Sequence, residues 1–93
     1  MFYSLFTTGS VSYTYVANKI VDALVGLVPG MDARAIAASI AYKLKVIARS
    51  TDGFSWTDLG GIIVDLARFI ADLVPDAKFS KIVGILWDLA QLL

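Results

Sequence analysis

The chain has no cysteine, no histidine and no glutamate, and it holds one asparagine, Asn18, and one glutamine, Gln91. Without cysteine there is no disulfide framework, no thiolate zinc site and no thiol nucleophile. Without histidine the Ser-His-Asp arrangement of hydrolases is excluded. All eight acidic side chains are aspartates, and no acid–base pair among them stands out from ordinary ion pairing, so the composition argues against an enzyme and calls for no cofactor. The scarcity of thermolabile Asn and Gln hints at a thermophile or a harsh exterior, although hyperthermophile proteins are also rich in Glu.

Charge of one sign is missing as well. Eight basic side chains balance eight acidic ones, so no basic excess draws in nucleic acid, and sequence-specific nucleic-acid binding is not expected. The balance is uneven along the chain. Residues 1–50 hold five basic and two acidic side chains, whereas residues 51–93 hold three and six. Opposite halves of this kind attract each other, either inside one chain or head to tail between copies.

A long hydrophobic run is also absent. Residues 1–18 carry no charge, but they lack a basic start, and Ser4, Thr7, Thr8, Ser10, Ser12 and Thr14 interrupt their apolar content, so they do not form a standard signal peptide. From Lys19 onward charges recur too often for a clean membrane span of about 20 residues.

Apolar residues are what the chain has in excess. Counted with glycine and without tyrosine, they make up about 61% of the 93 residues, and the mean hydropathy is +0.75. Soluble domains hold roughly 45–50%. A chain of this mass folds to about 5,200 Å² of surface and hides only about 64% of its extended surface. The expectation is that the surplus is covered by lipid or by copies of the same chain.

The pattern along the chain is all-α. Residues 1–11 form an aromatic and apolar arm, extended or helical, with a turn signal at Thr7-Thr8-Gly9-Ser10. Residues 12–49 form a first helix pair, Ser12 to Val28 and Ala33 to Arg49, separated by Pro29-Gly30 and with Asp32 capping the second helix. Ser50-Thr51-Asp52-Gly53 is the clearest loop. Residues 56–93 form a second pair, Trp56 to Val74 with Ser55 as cap, and Ala77 to Leu92 with Asp76 as cap, interrupted by Pro75. Residues 1–93 are thus one helical domain of two Pro-interrupted arms. If the prolines only kink the helices, the arms form an antiparallel hairpin; if they break them, a small four-helix bundle results.

The halves resemble each other. Ser12-Tyr13-Thr14 and Ile20-Val21-Asp22 match Ser55-Trp56-Thr57 and Ile63-Val64-Asp65 at one offset. Leu27-Val28-Pro29 and Asp32-Ala33-Arg34 match Leu73-Val74-Pro75 and Asp76-Ala77-Lys78 after a short slip. These matches suggest internal duplication, unless the narrow alphabet of Val, Leu, Ala and Ile produced them by chance.

Three groups of residues carry the functional expectations. Asp58, Asp65, Arg68 and Asp72 fall within about 80° of the third helix, a polar stripe facing water or a lumen, in which Arg68 has the spacing to pair with Asp65 and Asp72. An apolar arc of roughly 280° remains on the third and fourth helices, much wider than an ordinary surface helix needs. Lys43, Lys45 and Arg49, beside the central loop and Trp56, are candidates for lipid headgroups or a lumen, or simply offset the negative end of their helix. Lys43 lies off the narrow stripe formed by Arg34, Lys45 and Arg49. Gly60, Gly61 and Gly84, inside helices, are candidates for close helix packing. Trp87 and Phe79 are expected to pack. The reading that follows is a non-enzymatic, self-assembling structural subunit of pilus, filament or virion type. Its partners would be copies of itself and membrane lipid, in a membrane-associated or extracellular assembly. The alternative is a bacteriocin-, holin- or saposin-like helical protein that inserts into bilayers.

Overall fold

The computed structural model describes residues 2, 4–9, 11–50 and 56–91, and every regular element among them is helical. A short π-helical turn, Ser4–Thr8, precedes four α-helices: α1 (Tyr13–Val25), α2 (Ala33–Ser50), α3 (Trp56–Leu73) and α4 (Phe79–Ala90). The aromatic arm is therefore helical over Ser4–Thr8. Thr7 and Thr8 belong to this turn, and Gly9 leaves it with φ of +66°. Ser55, Thr51 to Gly53 and Leu92, which enter the sequence reading as cap, loop and helix end, lie outside the described residues.

Helix starts follow local chemistry. The Ser12 hydroxyl accepts the Tyr15 N–H at 3.0 Å, and the Asp32 carboxylate accepts the Ala35 N–H at 3.3 Å. Each satisfies a backbone donor that has no partner in a helix's first turn. Helix α1 ends three residues before the expected Val28. The N–H groups of Leu27 and Val28 both turn back to the Leu24 carbonyl, each at 2.9 Å. Pro29, with no N–H to continue the ladder, and Gly30, at φ +88°, then carry the chain away.

Helix α4 departs further from expectation. It starts at Phe79, with Lys78 in the cap position and no side-chain cap, so Asp76 does not cap it. After Pro75 the Ala77 N–H closes a turn onto the Val74 carbonyl at 3.0 Å, which tucks Ala77 and Val74 into the core before the helix resumes.

Both prolines interrupt their helices. A kinked but continuous helix over residues 13–50 would be about 57 Å long, yet the longest extent of the molecule is 36 Å. The chain folds back at each interruption. Helix α1 packs most extensively on α2 and α3 on α4, with further contacts between α1 and α4 and between α2 and α3. The radius of gyration is 12.2 Å, as compact as a domain of this length should be.

The core is built from residues three and four apart. Val16, Ile20 and Leu24 on α1, Ile40 and Leu44 on α2, Ile63, Leu66 and Ile70 on α3, and Ile82 and Leu86 on α4 are all fully enclosed. Each such side chain contributes about 1.5–3 kcal/mol of transfer free energy. Phe2 and Leu5 add to this core from the arm, the Phe2 ring lying 6.2 Å from that of Phe6. Among the described residues no polar or charged side chain is buried.

The wide apolar arc of α3 is largely closed within the chain, because α4 and α2 both pack against the helix. Of its large apolar side chains, Val64 is the one left exposed among the described residues. The molecular surface is 5373 Å², close to the roughly 5,200 Å² of an ordinary monomer of this mass. Much of the apolar surplus therefore sits half-buried around the core, at Phe6, Val28, Ile36, Ile62, Leu73 and Leu89 among others.

Candidate functional site

Helix α2 has the most one-sided surface. Its sequence, ARAIAASIAYKLKVIARS, holds four cations and no carboxylate. Ala37, Ile40, Leu44 and Ile47 are buried at helical spacing and fix the inward side. The opposite arc exposes Arg34, Tyr42, Lys45, Val46 and Arg49, with Ala35 and Ala38 between them. Arg34 and Arg49 are about 22 Å apart along the axis.

Lys43 lies away from that arc. Its side chain is only 24% exposed, its Nζ is 3.4 Å from Asp65 Oδ2 on α3, and it stands 5.6 Å from the centre of the Phe69 ring. Of the cations beside the central loop, Lys45 and Arg49 share the outward arc while Lys43 is drawn onto α3. Arg34, three turns earlier, completes the outward group.

On α3 the stripe of Asp58, Asp65, Arg68 and Asp72 is exposed as its spacing predicts. The pairing within it differs. Asp65 pairs across the helix interface with Lys43, and among the described residues Arg68 forms no ion pair with Asp65 or Asp72. No group of three acidic side chains among the described residues comes close enough to hold a metal ion.

The glycines occupy open positions. A Cβ built on Gly60, Gly61 or Gly84 would meet nothing within 4 Å, so no helix of the same chain approaches closely there. Gly61 and Gly84 are exposed, as are Val64 and Trp87, each three residues further along its helix. Trp87 is 39% and Phe79 42% exposed, so each packs with only part of its ring system. The side chain of Trp56 lies outside the described residues.

Two open grooves among the described residues arise from helix packing. One, of about 450 Å³, runs between α1 and α2, where Thr14, Asn18, Asp22 and Arg34 rim a floor that includes Ala37 and Ala41. Alanine spacing on α2 was the available signal, since small side chains leave space between paired helices. The other, of about 410 Å³, lies between the two proline turns and is lined by Pro29, Gly30, Asp32, Pro75 and Asp76 among others. It brings the two proline turns together, which spacing along the sequence does not specify. Tyr42 joins the outward cations, as its position on the helical wheel dictates.

Among the described residues no helix is long and apolar enough to cross a membrane. Compared with protein-family models, curated proteins and solved structures, the chain matches none.

Proposed function

We propose that the protein is a non-enzymatic structural subunit that packs against copies of itself through the outer faces of α3 and α4. The observation that carries this reading is the open space at Gly61 and Gly84. Glycine inside a helix costs roughly 1 kcal/mol relative to alanine. The fold gains no close helix contact from these two, but a helix of a neighbouring subunit would. Val64 and Trp87 beside them supply apolar area for that contact. We read the four helices as a small four-helix bundle of two duplicated helix–Pro–helix units. The packing of α1 on α2 and α3 on α4, and the groove shared by both proline turns, support that reading. The proposed setting is a pilus, filament or virion-type assembly, membrane-associated or extracellular.

Sedimentation velocity with and without detergent, together with negative-stain microscopy, tests the proposal. Oligomers or polymers are expected in the absence of detergent. Monodisperse chains of 10.0 kDa under both conditions would overturn it.

A second reading, a membrane-active protein whose helices open into a bilayer, is favoured by the carboxylate-free outer arc of α2. Release of dye from anionic liposomes would support it, and intact liposomes at micromolar protein would reject it.

A further inference from the structure

The exposed arcs of α1, α3 and α4 each carry at least one carboxylate: Asp22 on α1, Asp58, Asp65 and Asp72 on α3, and Asp88 on α4. The exposed arc of α2 carries Arg34, Lys45 and Arg49 and none. In a chain of zero net charge, one face has become cationic by segregation. The fourth cation of the helix, Lys43, is held by Asp65. Asp22 lines the same groove as Arg34, and among the described residues the two form no direct ion pair.

Tyr42 stands among these cations with 69% of its surface exposed, and Val46, four residues on, is 39% exposed. A tyrosine with an apolar ring and a polar tip suits the boundary between headgroups and hydrocarbon. Long basic side chains suit it too, since they lay an apolar stem along hydrocarbon and keep the charge at the phosphates. We propose that the outer face of α2 is a peripheral docking surface for a bilayer with anionic headgroups. The closed fold lies with α2 in the membrane plane, Arg34, Lys45 and Arg49 on headgroup phosphates, and Tyr42 and Val46 at the edge of the acyl region. Charge complementarity selects this occupant. A nucleic acid presents far denser phosphate than three cations spread over about 22 Å can match, and it has no use for Val46, Ala35 and Ala38. The docking face is on a different helix from the proposed subunit contact and goes beyond it by naming the lipid.

Cosedimentation of the full chain with vesicles tests this. Each cation near an anionic leaflet is worth roughly a fivefold gain in partition. Phosphatidylcholine vesicles containing phosphatidylserine should therefore bind roughly 100-fold more tightly than pure phosphatidylcholine, with the difference abolished by high salt. These arms need no variant. The Arg34→Gln/Lys45→Gln/Arg49→Gln variant should lose the same roughly 100-fold while retaining its helical circular dichroism, and Tyr42→Ser should lose a smaller factor. Equal binding to neutral and anionic vesicles would overturn the proposal, as would a triple variant that binds like the parent. So would dye release at the same lipid concentration, which would mean insertion. Loss of self-association by the triple variant without vesicles would assign the face to a second copy. Tighter binding to a random oligonucleotide than to anionic vesicles would assign it to nucleic acid.

Discussion

Lys43 on α2 and Asp65 on α3 meet with Nζ and Oδ2 3.4 Å apart, and the same ammonium faces the Phe69 ring at 5.6 Å. The contact joins the two helix pairs where α2 and α3 pack together. Asp65 is 58% exposed, so the charge term is well screened and worth no more than about 0.5 kcal/mol. The Lys43 side chain is only 24% exposed, so its stem adds an apolar share. Asp65→Asn should therefore lower stability by less than about 0.5 kcal/mol. Lys43→Ala should cost more, on the order of 1 kcal/mol, through lost packing. Urea unfolding at low and high salt separates the two, since the charge share lost in both variants should shrink with salt while the packing share of Lys43→Ala should persist.

The helix starts offer a second comparison. Ser12→Ala and Asp32→Ala each remove a side-chain acceptor from a first-turn N–H and should cost about 1 kcal/mol. Asp76→Ala should cost no cap, because α4 begins two residues beyond Ala77 and has Lys78 at its cap position. Lys78→Asp should stabilise the protein by about 0.5–1 kcal/mol by supplying the missing acceptor. Thermal unfolding of the four variants checks the order; a destabilised Asp76→Ala protein would place the cap elsewhere.

Neighbouring residues on α3 should respond very differently to truncation. Leu66 is fully enclosed and Val64 is 37% exposed. Leu66→Ala should cost about 2–5 kcal/mol, as cavity-forming changes do. Val64→Ala should stay within about 1 kcal/mol in a dissociated chain. Measured in dilute denaturant titrations, similar costs at the two positions would mean that Val64 is buried against another molecule under those conditions.

Gly61→Ala and Gly84→Ala should act in opposite directions on folding and assembly. Each Cβ enters open space, so the isolated chain should gain up to about 1 kcal/mol per substitution. The same methyl groups would hold a neighbouring helix away and weaken self-association. Unfolding curves in detergent and sedimentation without it read the two effects separately. Stabilisation with unchanged assembly would move the subunit contact to another face.

What the sequence determined by itself was local. The periods of three and four, the capping groups of Ser12 and Asp32, and the interruptions at Pro29 and Pro75 act within a turn or two of the backbone, so the all-helical class and the starts of α1 and α2 were legible from the residues. The same holds for the polar stripe of α3 and for the stripe of Arg34, Lys45 and Arg49, which helical spacing alone places. The tertiary structure decided what depends on which helix lies beside which. Spacing offered Arg68 to Asp65, but packing brought α2 alongside α3 and Lys43 took the carboxylate. The apolar breadth of α3 is read from its own spacing, but that α2 and α4 both pack against it is decided by the fold. Glycines suited to close packing proved to face open space. Each outcome depends on which distant part of the chain lies beside a helix, or on none lying there, and no spacing along one helix encodes the identity of its neighbour.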